Sequence, residues 1–397
     1  MTELVRAKYL AAARVEAPTE DCGNYVGLEH VRGSTAQLVD QWDGDGEAVS
    51  GIAYKTNDVL FGKLRPYLSK SWLADRAGVC SGEFLVLRAD AGLLDRFLKY
   101  LTLSQPWLEH AATNSYGSKM PRTTWEAMGE FEIPLPTLAI QRGVAHFLDR
   151  EMAKIDALIA RQICLEDALT YRTRVSLLEH VSGRLTNGKC DAVPHPWFGS
   201  IPQHWKVGRL SWAARVRSGD ARSYLDVSDA QSLDANVPVI GGNGVLGYTS
   251  ESNVESDAIA VGRVGALCGN VHLVNSPAWI TDNALRIDVI EGYTREFLAL
   301  LLRARDLNSM ASQTAQPLVT GVDLARLRLP VPPEPTQSTI VNAWKREEAS
   351  LTDLMLKSRD LRRVLLERRS SLITAAVTGQ IDVTTYGGAG LSESVTT

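Results

Sequence analysis

The sequence predicts a mixed α/β (α+β) fold: two globular domains, each followed by a long helix, the two helices packed as an antiparallel coiled coil in a pseudo-two-fold repeat. Three observations predict it. A segment recurs at an offset of 196 residues, Ile133-Pro134-Leu135-Pro136 falling on Leu329-Pro330-Val331-Pro332. The stretch C-terminal to each copy carries helical periodicity. The stretch N-terminal to each copy carries short β-rich runs broken by Gly, Asn and Asp.

The first domain is expected over residues 1–136, with runs such as Asp58-Val59-Leu60-Phe61-Gly62 and Glu83-Phe84-Leu85-Val86-Leu87. A short amphipathic helix is expected near Leu93–Leu103. The first long helix is expected over 137–186. Pro134 and Pro136 cannot sit inside it, and Gly183 and Gly188 mark its end. Its seam is read as Val144, Leu148, Ile155, Leu158, Leu165 and Leu169, interrupted by Glu151 and Gln162. About 45 helical residues at ~1.5 Å each give a rod of roughly 65 Å, whose apolar stripe needs a mate.

The second domain is expected over 187–332, with Val237-Pro238-Val239-Ile240-Gly241-Gly242 as a strand and a helix near Thr294–Leu302. The second long helix, over 333–383, supplies the mate. Its seam, copied at the offset, is Ile340, Trp344, Leu351, Leu354, Leu361 and Leu365. Gln141 falls on Gln337, Arg172 on Arg368, and Val181-Ser182-Gly183 on Val377-Thr378-Gly379. The globular stretches align poorly; Gly62-Lys63-Leu64 against Gly262-Arg263-Val264 is one of the better matches, at a slightly different offset. Residues 384–397, Gly-rich and then Ser/Thr-rich, read as disordered.

Composition bounds the function. A net charge of −4 argues against a strongly basic, non-specific nucleic-acid binder. Apolar runs fall short of the roughly 20 residues of a membrane span, and Met1–Arg6 does not open a signal peptide. Cys22, Cys80, Cys164, Cys190 and Cys268 are scattered without a CxxC pair, which reads as reduced thiols in a cytoplasmic protein. No P-loop, GxGxxG, HExxH or [DNS]PP[YFW] segment occurs, no Glu-x-Lys tripeptide exists, and the seven histidines are isolated. Gly241-Gly242-Asn243-Gly244 reads as a tight turn before it reads as a phosphate cradle. The chain is expected to be non-catalytic and to bind no metal or cofactor itself.

Ile133-Pro-Leu-Pro-Thr-Leu-Ala-Ile-Gln141-Arg142, Phe147-Leu-Asp-Arg-Glu151 and Lys154-Ile-Asp-Ala-Leu-Ile159, with Leu329-Pro-Val-Pro-Pro-Glu-Pro-Thr-Gln337, carry a family resemblance. Trp197-Phe-Gly-Ser-Ile-Pro-Gln-His-Trp205, Ser81-Gly82-Glu83-Phe84 and Ala260-Val-Gly-Arg-Val-Gly265 support it; the first domain lacks the Trp-flanked segment. With these residues the chain resembles, over about 20–383, the specificity subunit of a type I restriction-modification system.

The resemblance implies two target-recognition domains, each reading half of a split site in double-stranded DNA. It implies that the helices set the spacer and dock two methyltransferase subunits and, through them, restriction/translocase subunits. S-adenosylmethionine, ATP and Mg would then be bound by the partners, which would modify adenine. The alternative is a coiled-coil adaptor joining two protein-binding domains without a DNA role. Base reading favours Arg or Lys on guanine and Asn or Gln on adenine, from exposed loops. The candidates in the first domain are Lys63, Arg65, Tyr67, Lys70, Asn114, Tyr116, Ser118, Lys119 and Arg122. Those in the second are Arg215, Arg217, Arg222, Asn243, Tyr248, Arg263, Gln313 and Gln316. Each reads equally as a solvated surface side chain.

Overall fold

A computed structural model describes residues 3–14, 24–33, 35–39, 51–90, 92–185, 191–311 and 317–383. Gln313, Gln316 and the tail beyond 383 lie outside them. The chain divides into two compact units, residues 1–165 with 357–397, and residues 166–356. Each unit takes one globular region and a portion of both long helices.

In the first unit, the apolar runs around Leu60 and Val86 form the two central strands of a four-stranded antiparallel sheet. Its order is Ala11–Arg14, Phe84–Ala89, Val59–Gly62, Ser71–Leu73. Both central strands are buried on both faces through Phe61 and Leu87, which is why they read as continuous apolar runs and not as alternation. Glu3–Arg6 pairs antiparallel with Glu132–Leu135, tying the start of the chain to the proline turn. The helix Asp95–Thr102 buries Phe97, Leu98, Tyr100 and Leu101 against the sheet.

The second unit repeats this plan. Its four strands take the same order, Ala214–Ser218, Ala284–Val289, Ala258–Gly262, Val271–Val274. Lys206–Arg209 pairs with Arg328–Val331 as Glu3–Arg6 pairs with Glu132–Leu135. Arg295–Ala304 takes the place of Asp95–Thr102. The duplication therefore runs through the globular regions, where the sequences had lost register. The offset drifts from 203 residues (Glu3 to Lys206) through 200 (Gly62 to Gly262) to 196 (Glu132 to Arg328). A single fixed offset cannot follow that drift.

Both long helices span 44 residues, Leu138–Val181 and Glu334–Val377. They end alike. Gly183 and Gly379 adopt left-handed φ of 75° and 74°, and the next amide, Arg184 or Gln380, donates back to Glu179 or Ala375. This closure satisfies carbonyls the last turn would leave open. They begin alike as well. Buried Gln141 donates through Nε2 to the carbonyls of Gly92 (2.7 Å) and Pro136 (2.9 Å), and its Oε1 accepts from Leu94 N (2.8 Å). Gln337 makes the same three bonds, to Gly292 (2.8 Å), Pro332 (2.9 Å) and Thr294 N (2.7 Å). In both units one amide side chain joins the helix to the proline turn and to the loop opening the short helix.

The helices pack antiparallel. In the first unit Asp156 meets Arg369 and Gln162 meets Ser358, so numbering falls on one helix as it rises on the other. Val144, Leu148, Met152, Ile155 and Ile159 share a core there with Leu365, Ile373, Ala376 and Val377. In the second unit Leu177 and Val181 share a core with Ile340, Val341 and Trp344. Leu169 and Leu351 are buried too.

The expected seam needs one correction. Leu158, Leu165, Leu354 and Leu361 are 43%, 45%, 47% and 47% exposed. The inward-facing positions alternate by four and three residues: 148, 152, 155, 159, 162, 166 and 169 on the first helix. The mistaken leucines lie one residue, about 100° of helix rotation, off that line. They mislead because several true seam positions are polar, Gln162 and Glu166 on one helix and Ser358 and Arg369 on the other.

Candidate nucleic-acid interface

At the end of the buried strand Val59–Gly62 the chain leaves the sheet and meets a distant segment. Lys63 N donates to Glu83 O (2.8 Å), Thr123 N to Lys63 O (3.1 Å), and Arg65 N to Pro121 O (2.7 Å). Tyr116 and Arg122 exchange both backbone bonds, at 3.0 and 2.9 Å. A backbone clasp thus gathers Lys63–Arg65, Glu83 and the loop from Tyr116 to Thr123.

The second unit carries the same clasp. Arg263 N donates to Asn283 O (2.9 Å), Val319 N to Arg263 O (2.9 Å), and Gly265 N to Pro317 O (3.0 Å). Arg65 and Gly265, the matching third residues, both turn left-handed, with φ of 50° and 83°. Glycine takes that conformation freely, whereas Arg65 takes it under strain. Gly262 has no room for a side chain: a Cβ there would lie 2.5 Å from the Gly242 carbonyl oxygen and 2.9 Å from that of Leu267.

The clasps place some sequence candidates together and set others apart. Lys63, Arg65, Tyr116, Ser118, Lys119 and Arg122 belong to the first clasp, with Arg65, Tyr116, Ser118 and Lys119 exposed. Exposed Tyr67 follows Arg65 in a short 3-10 turn. Arg122 is held by Glu83 through Nε at 2.9 Å and Nη2 at 3.0 Å. These bonds hold the Glu83 carboxyl below its usual range and raise the Arg122 guanidinium. Lys70 instead binds the Leu28 carbonyl at 2.6 Å. Asn114 closes the end of helix Gln105–Thr113 on the His110 carbonyl at 2.8 Å. Each spends one N–H on a backbone carbonyl, outside the clasp.

In the second unit Arg263 reaches Ser218 Oγ at 3.3 Å. Arg215 is exposed on the edge strand opposite Asp288, while Arg217 is paired with Asp288 at 2.8 Å. Arg222 pairs with Glu251 at 3.0 Å and stacks on Trp279, 4.4 Å from the ring centroid. With Tyr248 it lines an open polar hollow of about 580 Å³. Asn243 accepts from Asn270 Nδ2 at 3.0 Å, in a two-residue turn between paired Gly241 and Gly244. The glycine-rich stretch is thus a hairpin turn. Sequence reasoning missed Glu83 as a site residue, because acidic side chains were not sought near DNA. It also missed exposed Met120 in the Tyr116–Arg122 loop.

Among the described residues no group of three or more His, Cys, Asp or Glu is placed to hold a metal ion. No described helix is long and apolar enough to cross a membrane. Cys80, Cys164 and Cys268 are free thiols, and burial pushes the Cys80 thiol up to about 12.

The chain is similar to several known proteins. Residues 202–358 match the family described as type I restriction modification DNA specificity domain. The type I restriction enzyme EcoprrI specificity subunit of Escherichia coli is 28% identical over 244 residues, 60% of this chain. That match spans 57% of the relative's own length. A chain from a solved structure described as the structural basis of complex assembly and conformational transition of the type I R-M system shares the fold. Its TM-score is 0.73 at 18% identity, over 96% of this chain and 98% of that one. The HsdS subunit from Thermoanaerobacter tengcongensis aligns over 96% and 97% at 19% identity and a TM-score of 0.49.

Proposed function

We propose that this chain, similar over residues 202–358 to the type I restriction modification DNA specificity domain, belongs to that family and is the non-catalytic DNA-reading subunit of such a system. Each globular domain reads one half of a split site in double-stranded DNA. The long helices set the spacer and dock two methyltransferase subunits and, through them, restriction/translocase subunits. S-adenosylmethionine, ATP and Mg belong to those partners, and the complex works in the cytoplasm.

The observation that carries this reading is the repeated clasp. Two sheets of identical topology present the same backbone frame, each with a basic residue, Lys63 or Arg263, at the same point. The side chains around the frames differ. A shared frame with different side chains suits two readers of two sequences, since phosphate contacts position a protein and base contacts specify the site. The net charge of −4 is compatible with DNA binding if the methyltransferase subunits neutralise much of the backbone.

The test is to purify the chain with an amino-methyltransferase encoded beside it and map methylation across genomic DNA. A split motif is expected, and exchanging residues 1–136 for another member's domain should change one half of it. No split motif, or a motif indifferent to the exchange, would favour the adaptor reading instead.

A further inference from the structure

The two clasps close with the same backbone bonds but differ at two facing side chains. Leu64 bridges to Arg122 in the first unit, and Val264 bridges to Leu318 in the second. Leu318 therefore occupies the place of Arg122, and Asn283 the place of Glu83. In the second unit the clasp closes at 2.9–3.0 Å with these neutral residues. The Arg122–Glu83 ion pair is accordingly not what holds the frame together. Its side chains are 34% and 32% exposed, a setting in which ion pairs add little to stability.

What the pair does is fix a guanidinium plane. Glu83 occupies the Nε and Nη2 side of Arg122. The remaining Nη1/Nη2 edge has no bond to another described residue. That edge presents two parallel N–H donors, the pattern that matches O6 and N7 of guanine in the major groove. Exposed Tyr116 and Lys119 stand in the same loop.

We infer that Arg122 reads a guanine in the half-site served by the first unit, and that Glu83 is its positioning residue. Lys63 and Arg263, shared by both clasps, serve the sequence-independent contact with the DNA backbone. The inference rests on the proposed DNA-reading function.

The experiment uses the chain assembled with its methyltransferase partner, with modified bases mapped genome-wide for wild type, R122A, R122K and E83Q. R122A should make one guanine position degenerate, discrimination there falling roughly tenfold or more, the worth of one bidentate contact. The other half-site should stay intact. R122K keeps the charge but not the fork and should lose the same position. E83Q should loosen that same position less than R122A does, and leave the other half-site as it is. R122Q replaces R122A if the latter does not assemble. A motif unchanged in R122A or R122Q, or loosened equally in both halves, would overturn the inference while leaving the DNA-reading function standing. A wild-type complex that methylates no split motif would remove that function, and the inference with it.

Discussion

Ser358 Oγ donates to Gln162 Oε1 at 2.9 Å, and the two residues are 196 positions apart, the same position in the two copies of the helix. The contact joins two of several polar positions in the seam, a device that fixes register at a cost in stability. Replacing both residues by leucine should hold or raise the melting temperature while loosening register. Ser358→Ala alone should cost about 1 kcal/mol by leaving the amide short of a partner. Urea midpoints for the single and double variants test this; a double variant much weaker than either single would contradict it.

The glutamine cages should matter more. Gln141→Ala strips partners from the Gly92 and Pro136 carbonyls and from Leu94 N, and Gln337→Ala does the same in the second unit. Each should cost about 2–3 kcal/mol, the penalty of leaving buried groups unpaired. Gln141→Glu should do no better, since a carboxylate cannot donate to two carbonyls. Hydrogen exchange should show Leu94 or Thr294 N–H losing protection in the matching variant alone.

Buried Arg369 donates to Asp156 at 3.0 Å and to the Thr35 carbonyl at 2.9 Å, and Asp156 also accepts from Gln37 at 3.2 Å. Breaking such a pair from one side should cost about 3–5 kcal/mol. Arg369→Met should therefore lower the denaturation midpoint strongly, and Asp156→Asn, which keeps an acceptor, by less. Equal, small losses would show that the pair is not essential to the first unit.

Acid should dissolve the Arg122–Glu83 pair. The hydrogen bonds from Arg122 depress the Glu83 carboxyl in the folded state. A depressed acid contributes stability that is fully present above its unfolded value, about 4.3 for glutamate, and lost as pH falls through the folded value. The small difference in midpoint between wild type and E83Q should be flat from neutrality to about pH 4.5 and shrink below it. A difference that grows as pH falls would mean that Glu83 is not held ionised by Arg122.

If the long helices set the spacer, inserting residues just after Gly183 should change the distance between the half-sites and leave both half-site sequences alone. Methylation mapping of the assembled complex reads this directly. Altered half-sites would sink the ruler.

Legibility in the sequence followed how local the signals are. The helices, their proline turns, the closing glycines and the paired Gln141 and Gln337 were all readable, because each is written in neighbouring residues at a constant offset. The shared sheet was not: strand pairing accepts many β-formers, and the drifting offset hides the equivalence of Glu83 and Asn283. The seam was misread by one residue because Gln162 and Ser358 sit inward while Leu158 and Leu354 face out. The clasp was half readable. Lys63 and Arg263 stood out by type, but their backbone partners lie up to about sixty residues away and leave no side-chain signature. The backbone carbonyls that Lys70 and Asn114 bind leave no trace in the sequence either.

The two units also differ in when they can be finished. Residues 166–356 form one unbroken stretch, whereas the first unit needs residues 357 onward to complete its core, with Leu365, Ile373 and Val377 among the missing pieces. At a translation rate of roughly 5–20 residues per second, the earlier-made half waits on the order of ten to forty seconds for the last part of its own interior. The second unit has all its residues first, so the usual order of birth and maturation is reversed, and the core that Leu148 and Ile155 share with Leu365 and Ile373 stays incomplete in the interval. Chaperone engagement during synthesis, and aggregation of chains truncated before residue 357, should both trace to that delay.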